Sequence, residues 1–181
     1  SAHIVFENAY VELSSPDPGS GNHLEPMLAL GEGVRIVVFS ADSVEVAHEA
    51  CVRAGLAAGG VMEASRTVRA GQESGTARFR WFPLTDRFWS GVLAAVVEHV
   101  TPGLVFHPAL IRHANGCRRI AAFVAQGDVG TLRRLPDLPA VGRAPLRLAD
   151  PAGPLRITGM ACLANEAGPE RFFAFDAPGE G

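Results

Sequence analysis

Short apolar runs broken by Gly, Pro and Asn dominate this chain, and few stretches keep a helical period. His3–Phe6 and Tyr10–Ser14 flank Glu7-Asn8-Ala9 and predict a β-hairpin. Residues 15–33, with Pro16, Pro18, Pro26 and several glycines, read as a connecting loop with one helical turn around Leu24–Leu30. Arg35–Ser40, apolar after its first residue, predicts a strand. Asp42 then offers a helix N-cap, and Glu45 three residues on completes a capping-box pattern. Along that helix Val44, Ala47, Cys51 and Ala54 form one apolar stripe, and Gly55 ends it.

Three strands are predicted next, over Val61–Arg69, Thr76–Leu84 and Gly91–Val100. The middle one alternates, with Ala77, Phe79 and Trp81 on one face and Arg78 and Arg80 on the other. Beyond a turn-rich segment come a strand at Arg119–Ala125, a short helix at Asp128–Leu135, and strands at 144–149, 154–163 and 171–176. Hairpins and crossovers together predict an α+β fold with a mixed sheet.

Two short matches suggest an internal repeat. Arg35-Ile36-Val37-Val38-Phe39 parallels Arg119-Ile120-Ala121-Ala122-Phe123, and Val11-Glu12-Leu13-Ser14-Ser15-Pro16 parallels Val97-Glu98-His99-Val100-Thr101-Pro102. Both recur at a spacing of about 85 residues. The period divides the chain into 1–33, the last hairpin of a truncated first βαβββ module with its linker; 34–116, a complete second module; and 117–181, a reduced third. On that reading, further strands lie upstream of Ser1.

Composition narrows the function. Of 181 residues, 48% are hydrophobic and 19% charged, enough apolar material for a buried core. The net charge of −3 gives no support to nucleic-acid binding. All 16 basic residues are Arg, which removes lysine Schiff-base chemistry and a Walker-type phosphate loop. Cys51, Cys117 and Cys162 are too widely spaced for a zinc knuckle and read as free, buried thiols. An apolar run such as Val92–Val97 is far too short to span a bilayer, and no signal-peptide pattern opens the chain. These features predict a soluble cytoplasmic protein without a membrane partner.

The repeated βαβββ unit resembles the vicinal oxygen chelate superfamily, which includes glyoxalase I, extradiol dioxygenases and bleomycin-resistance proteins. Ala9-Tyr10-Val11-Glu12-Leu13 resembles a strand ending of the glyoxalase-like domain proteins. Glu98-His99-Val100-Thr101-Pro102 through Arg112-His113-Ala114-Asn115-Gly116 resembles their "EH-x-TP … H-x-NG" stretch. The resemblance covers residues 3 to about 125 and fades beyond. It implies repeated βαβββ modules curling their sheets around a cleft that takes a small oxygenated molecule, and assembly as a homodimer.

Metal-dependent members hold one divalent ion, such as Zn, Ni, Fe or Mn, on His and Glu from module strands. The resemblance makes Glu12 and Glu98 the metal ligands, with Glu12 also a catalytic residue in a lyase, isomerase or dioxygenase. A third position falls on Arg35, whose guanidinium cannot ligate a metal. Each carboxylate has a plainer reading as a solvated or Arg-paired strand residue, and Arg35 could itself pair with Glu12 or Glu98. The metal-free alternative is a binding protein of the bleomycin-resistance type. For a ligand, Arg35, Arg78, Arg80, His99 and His113 are the candidate contacts, with Arg78 and Arg80 forming a positive strip. Asn115 reads first as a turn residue before Gly116. His3 and His23 show no partner pattern, and His48 reads as half-buried helix packing.

Overall fold

The computed structural model describes residues 1–15, 17–19, 21, 24–29, 31, 33–85, 92–127, 138, 141–142, 146–150, 152, 156–164 and 169–175. Strands β1 (Ala2–Val5) and β2 (Tyr10–Leu13) form the expected antiparallel hairpin. Its turn closes through the Phe6 N–H and Ala9 carbonyl at 2.8 Å. The connecting loop contains one helical turn, α1 (Glu25–Leu28). Then follow β3 (Ile36–Ser40), α2 (Val44–Arg53), β4 (Met62–Ala70), β5 (Glu73–Leu84) and β6 (Leu93–His99). They build a sheet of order β3-β6-β5-β4. The β3–β6 pair is parallel and the others are antiparallel, so the sheet is mixed.

Helix α2 begins one residue later than the sequence pattern suggests. Ser43, not Asp42, is the N-cap, and its side chain accepts the Val46 N–H at 3.4 Å. Val44, Ala47 and Cys51 are buried as expected, joined by Ala50. Ala54 ends the helix, and Gly55 turns the chain away at φ +75°.

Strand β5 buries both faces, but at different ends. Ala77 is buried on one face, while Phe82 and Leu84 are buried on the other. The pairing with β4 and β6 runs without a bulge, so alternation persists and the cover changes. The far half packs with Val44, Ala47 and Cys51 of α2 in one core. The near half joins Val68 and Val105, the latter on α3 (Pro102–Val105), with Tyr10 and Phe79 packed against them.

A second sheet contains β7 (Arg119–Gln126), β8 (Leu146–Asp150), β9 (Arg156–Leu163) and β10 (Glu170–Ala174) in the order β10-β9-β7-β8. Here β7 pairs parallel with β8 and antiparallel with β9, so the first strand of this sheet is central, whereas β3 lies at the edge of the first sheet. Ala125, Val141 and Ile157 share a core with Phe39, Phe82 and the α2 stripe. That shared core crosses the boundary drawn at residue 116. The helix expected at Asp128–Leu135 lies outside the described residues.

The hairpin ties onto β7 through Asn8. Its side chain donates to the Ile120 carbonyl and accepts the Ile120 N–H, both at 2.9 Å, as a strand neighbour would. Phe6 fills the cluster with Cys117, Ile120, Met160 and Cys162. Among the described residues, no helix is long and apolar enough to cross a membrane.

Candidate functional site

Strand alternation decides which side chains meet. Register places Ala64 opposite Phe79 and Arg66 opposite Ala77 across β4 and β5, and Phe79 opposite His99 across β5 and β6. Arg66, Phe79 and His99 therefore share one face, the face against which the hairpin lays Tyr10. Tyr10 meets His99 edge-on with ring centroids 5.9 Å apart, and Phe106 packs 5.3 Å from the same imidazole. Phe79 closes the cluster at 5.5 Å from His99. The Arg66 guanidinium lies 5.5 Å over the Phe79 ring, a cation–π contact.

A polar chain runs along the edge of this cluster. Arg66 Nη1 lies 3.0 Å from His3 Nδ1, and His3 Nε2 lies 3.4 Å from a Glu12 carboxylate oxygen. Arginine can only donate, so Nδ1 accepts and the imidazole proton resides on Nε2, facing Glu12. The Ser14 hydroxyl adds a hydrogen bond to Glu12 at 3.1 Å. Hydrogen bonding from His3 holds the Glu12 carboxyl well down, at about 2 against an ordinary 4.5, despite partial burial.

His99 has a different electrostatic position. Burial, reinforced by the Arg66 charge, pushes its pKa down and favours the neutral imidazole. Its Nε2 is buried without a hydrogen-bond partner among the described residues. Burial, with the Glu12 charge, raises the Tyr10 phenol. Chemically, Glu12 is an anion and a weak base near neutral pH, and it orients His3.

The chain matches no family model, no curated protein and no solved structure.

The other anticipated residues are dispersed. Glu98 lies on the opposite face of β6 from His99, where its carboxylate accepts the Val44 N–H at 3.0 Å and so caps α2. Arg80, opposite Glu98, pairs with Glu45 and approaches Glu98 at 3.9 Å and Glu63 at 4.0 Å. Arg35 donates to the Gly31 carbonyl from Nε and Nη2, at 3.2 and 3.1 Å. The Arg78 backbone N–H binds the Thr101 hydroxyl at 2.8 Å, and its side chain is exposed. His113 donates from Nε2 to the Val5 carbonyl at 2.8 Å and packs 4.8 Å from Phe6. Asn115 accepts the Cys117 N–H at 3.0 Å beside Gly116 at φ +74°, as its turn reading anticipates. His48 is half-buried, bound to the Gly59 carbonyl at 3.0 Å and edge-on to Phe82.

The two expected metal ligands thus do not fit one ion. Glu12 lies on the hairpin side of the first sheet and Glu98 on the helix side, each with its own partners. Among the described residues, no group of three or more His, Cys, Asp or Glu is placed to hold a metal ion. Glu12 and His99, by contrast, do reach one cluster. Reading from sequence misses His3 and Arg66 there; the signal for Arg66 is an Arg in an alternating strand with an aromatic column beside it.

Proposed function

We propose that the chain binds a small oxygenated molecule at the Arg66–His99–Tyr10 cluster, without a metal held by Glu12 and Glu98. This is the bleomycin-resistance type of activity among glyoxalase-like proteins, with β3-α2-β4-β5-β6 as one βαβββ module of a repeated series. The order of those elements and the sheet order β3-β6-β5-β4 support the module reading. The unpartnered His99 Nε2 carries the ligand reading. A buried polar atom left alone costs about 1–3 kcal/mol, and a ligand oxygen or hydroxyl would satisfy it. Arg66 beside it supplies guanidinium donors to an oxyanion, and the three aromatic rings cover an apolar body.

The test uses catechol as a vicinal-diol probe on protein labelled with 15N-histidine, with metal content measured beside Glu12→Gln. The expected result is a saturable shift of the His99 Nε2 resonance and the same metal content in both proteins. About one Fe, Mn, Ni or Zn per chain, lost in the variant, would return the reading to a metal-dependent lyase, isomerase or dioxygenase. No response of His99 to catechol or to smaller diols would remove the proposed site.

A further inference from the structure

The segment between α3 and β7 borders a groove of about 470 Å³ that shares no residue with the cluster above. That volume lies within the usual range of small-ligand sites. Pro108, Ile111 and Cys117 give it an apolar part, and Arg112, His113 and Arg118 give it a polar one. Among the described residues, no carboxylate lines it. Glu7 is the acid nearest its chemistry, paired with Arg118, yet the Arg118 side chain remains 61% exposed. Arg112 is exposed and makes no ion pair among the described residues.

The wall is organised before any ligand arrives. The Gly116 N–H donates to the His113 carbonyl at 2.9 Å, and Asn115 accepts the Cys117 N–H. Arg171 reaches across from β10 to donate to the Asn115 carbonyl. His113 is held by its hydrogen bond to the Val5 carbonyl and by its packing on Phe6. The exposed Arg112 guanidinium, with Arg118 shared with Glu7, stands beside an apolar surface and suits an apolar body ending in a carboxylate.

We propose that this groove is a binding site for a small aromatic carboxylate, with Arg112 as the primary anion contact and Arg118 as the second. Benzoate is the probe, and benzamide, equal in shape but uncharged, is its control. The readout is the Ile111 methyl resonance. Benzoate should shift it saturably, while Arg112→Gln and the benzamide control should each weaken binding about tenfold or more. Arg112 is exposed, so the variant keeps the fold. Benzoate leaving Ile111 unmoved overturns the site. Equal binding of benzamide, or unchanged affinity in Arg112→Gln, overturns the carboxylate specificity and leaves apolar adsorption only. The His99 resonance should stay still under benzoate, which separates this outcome from the fate of the catechol experiment.

Discussion

Arg66 donates to His3 Nδ1 at 3.0 Å, and that one contact fixes the tautomer of the imidazole. The proton must lie on Nε2, where it faces Glu12. A strand from the first sheet thus sets the chemistry of a hairpin far away in sequence.

The pH behaviour of Glu12 follows. Its carboxyl is held at about 2 in the fold, below an ordinary 4.5, so the ionised form is favoured by folding. The resulting stability is present above pH 4.5 and is lost as pH falls toward 2. Because the Glu12 side chain is 44% exposed, solvent screening keeps the effect modest. Carbon-detected NMR titration should place Glu12 near 2, and His3→Gln should raise it toward 4.5. A wild-type Glu12 titrating at its ordinary value would remove the His3 contact from the account.

Glu98 is expected to act on stability through α2. Its carboxylate accepts the Val44 N–H, one of the donors that a helix start leaves open. Glu98→Ala should cost about 1 kcal/mol, the usual loss for a removed cap, while Glu98→Gln keeps an acceptor and should lose less. Urea denaturation measures both. Equal losses in the two variants would show that charge facing Arg80, rather than the cap, is what matters.

Local pattern made much of this legible. The hairpin, the β3 strand and the α2 stripe rest on neighbours in sequence, and the chain forms them within a residue or two. Ser43 displaced Asp42 as the cap because its hydroxyl reaches the Val46 N–H, a choice between adjacent residues that spacing alone does not make. The second sheet was less accessible. Whether β7 takes β8 or β9 as a parallel partner depends on long-range pairing, and the short repeat at Arg119–Phe123 says nothing about it. Glu12 and His99 could be found through a resemblance; His3 and Arg66 could not, since 63 residues separate them. The period aligns Glu98 with Glu12, while strand alternation sends Glu98 to the helix side, where it accepts the Val44 N–H.

At Gly159 packing leaves no latitude. It occupies the β9 strand, paired with Val124 on one side and Ala174 on the other. An added Cβ would fall 2.6 Å from the Phe173 carbonyl oxygen and 2.6 Å from the Phe172 ring. Backbone on that side cannot retreat without breaking the β9–β10 ladder. Gly159→Ala should therefore cost about 1–3 kcal/mol, the usual penalty of overpacking. A thermal melt unchanged from wild type would mean that β10 can shift away from β9 at no cost.

His99 sets stability against binding. Its imidazole lies among Tyr10, Phe79 and Phe106, surroundings suited to a phenyl ring, yet it carries a buried nitrogen with no partner. His99→Phe keeps the ring and deletes that nitrogen, so the variant should gain about 1 kcal/mol in urea denaturation at pH 7. The gain should grow below pH 6.5, the ordinary histidine value. There the unfolded wild-type chain takes up a proton that the buried, Arg66-facing imidazole resists, so the wild type weakens as pH falls while the variant does not. Catechol binding should vanish in the same protein. A variant that is less stable at both pH values would show that His99 is a satisfied packing residue, and the proposed site would lose its principal support.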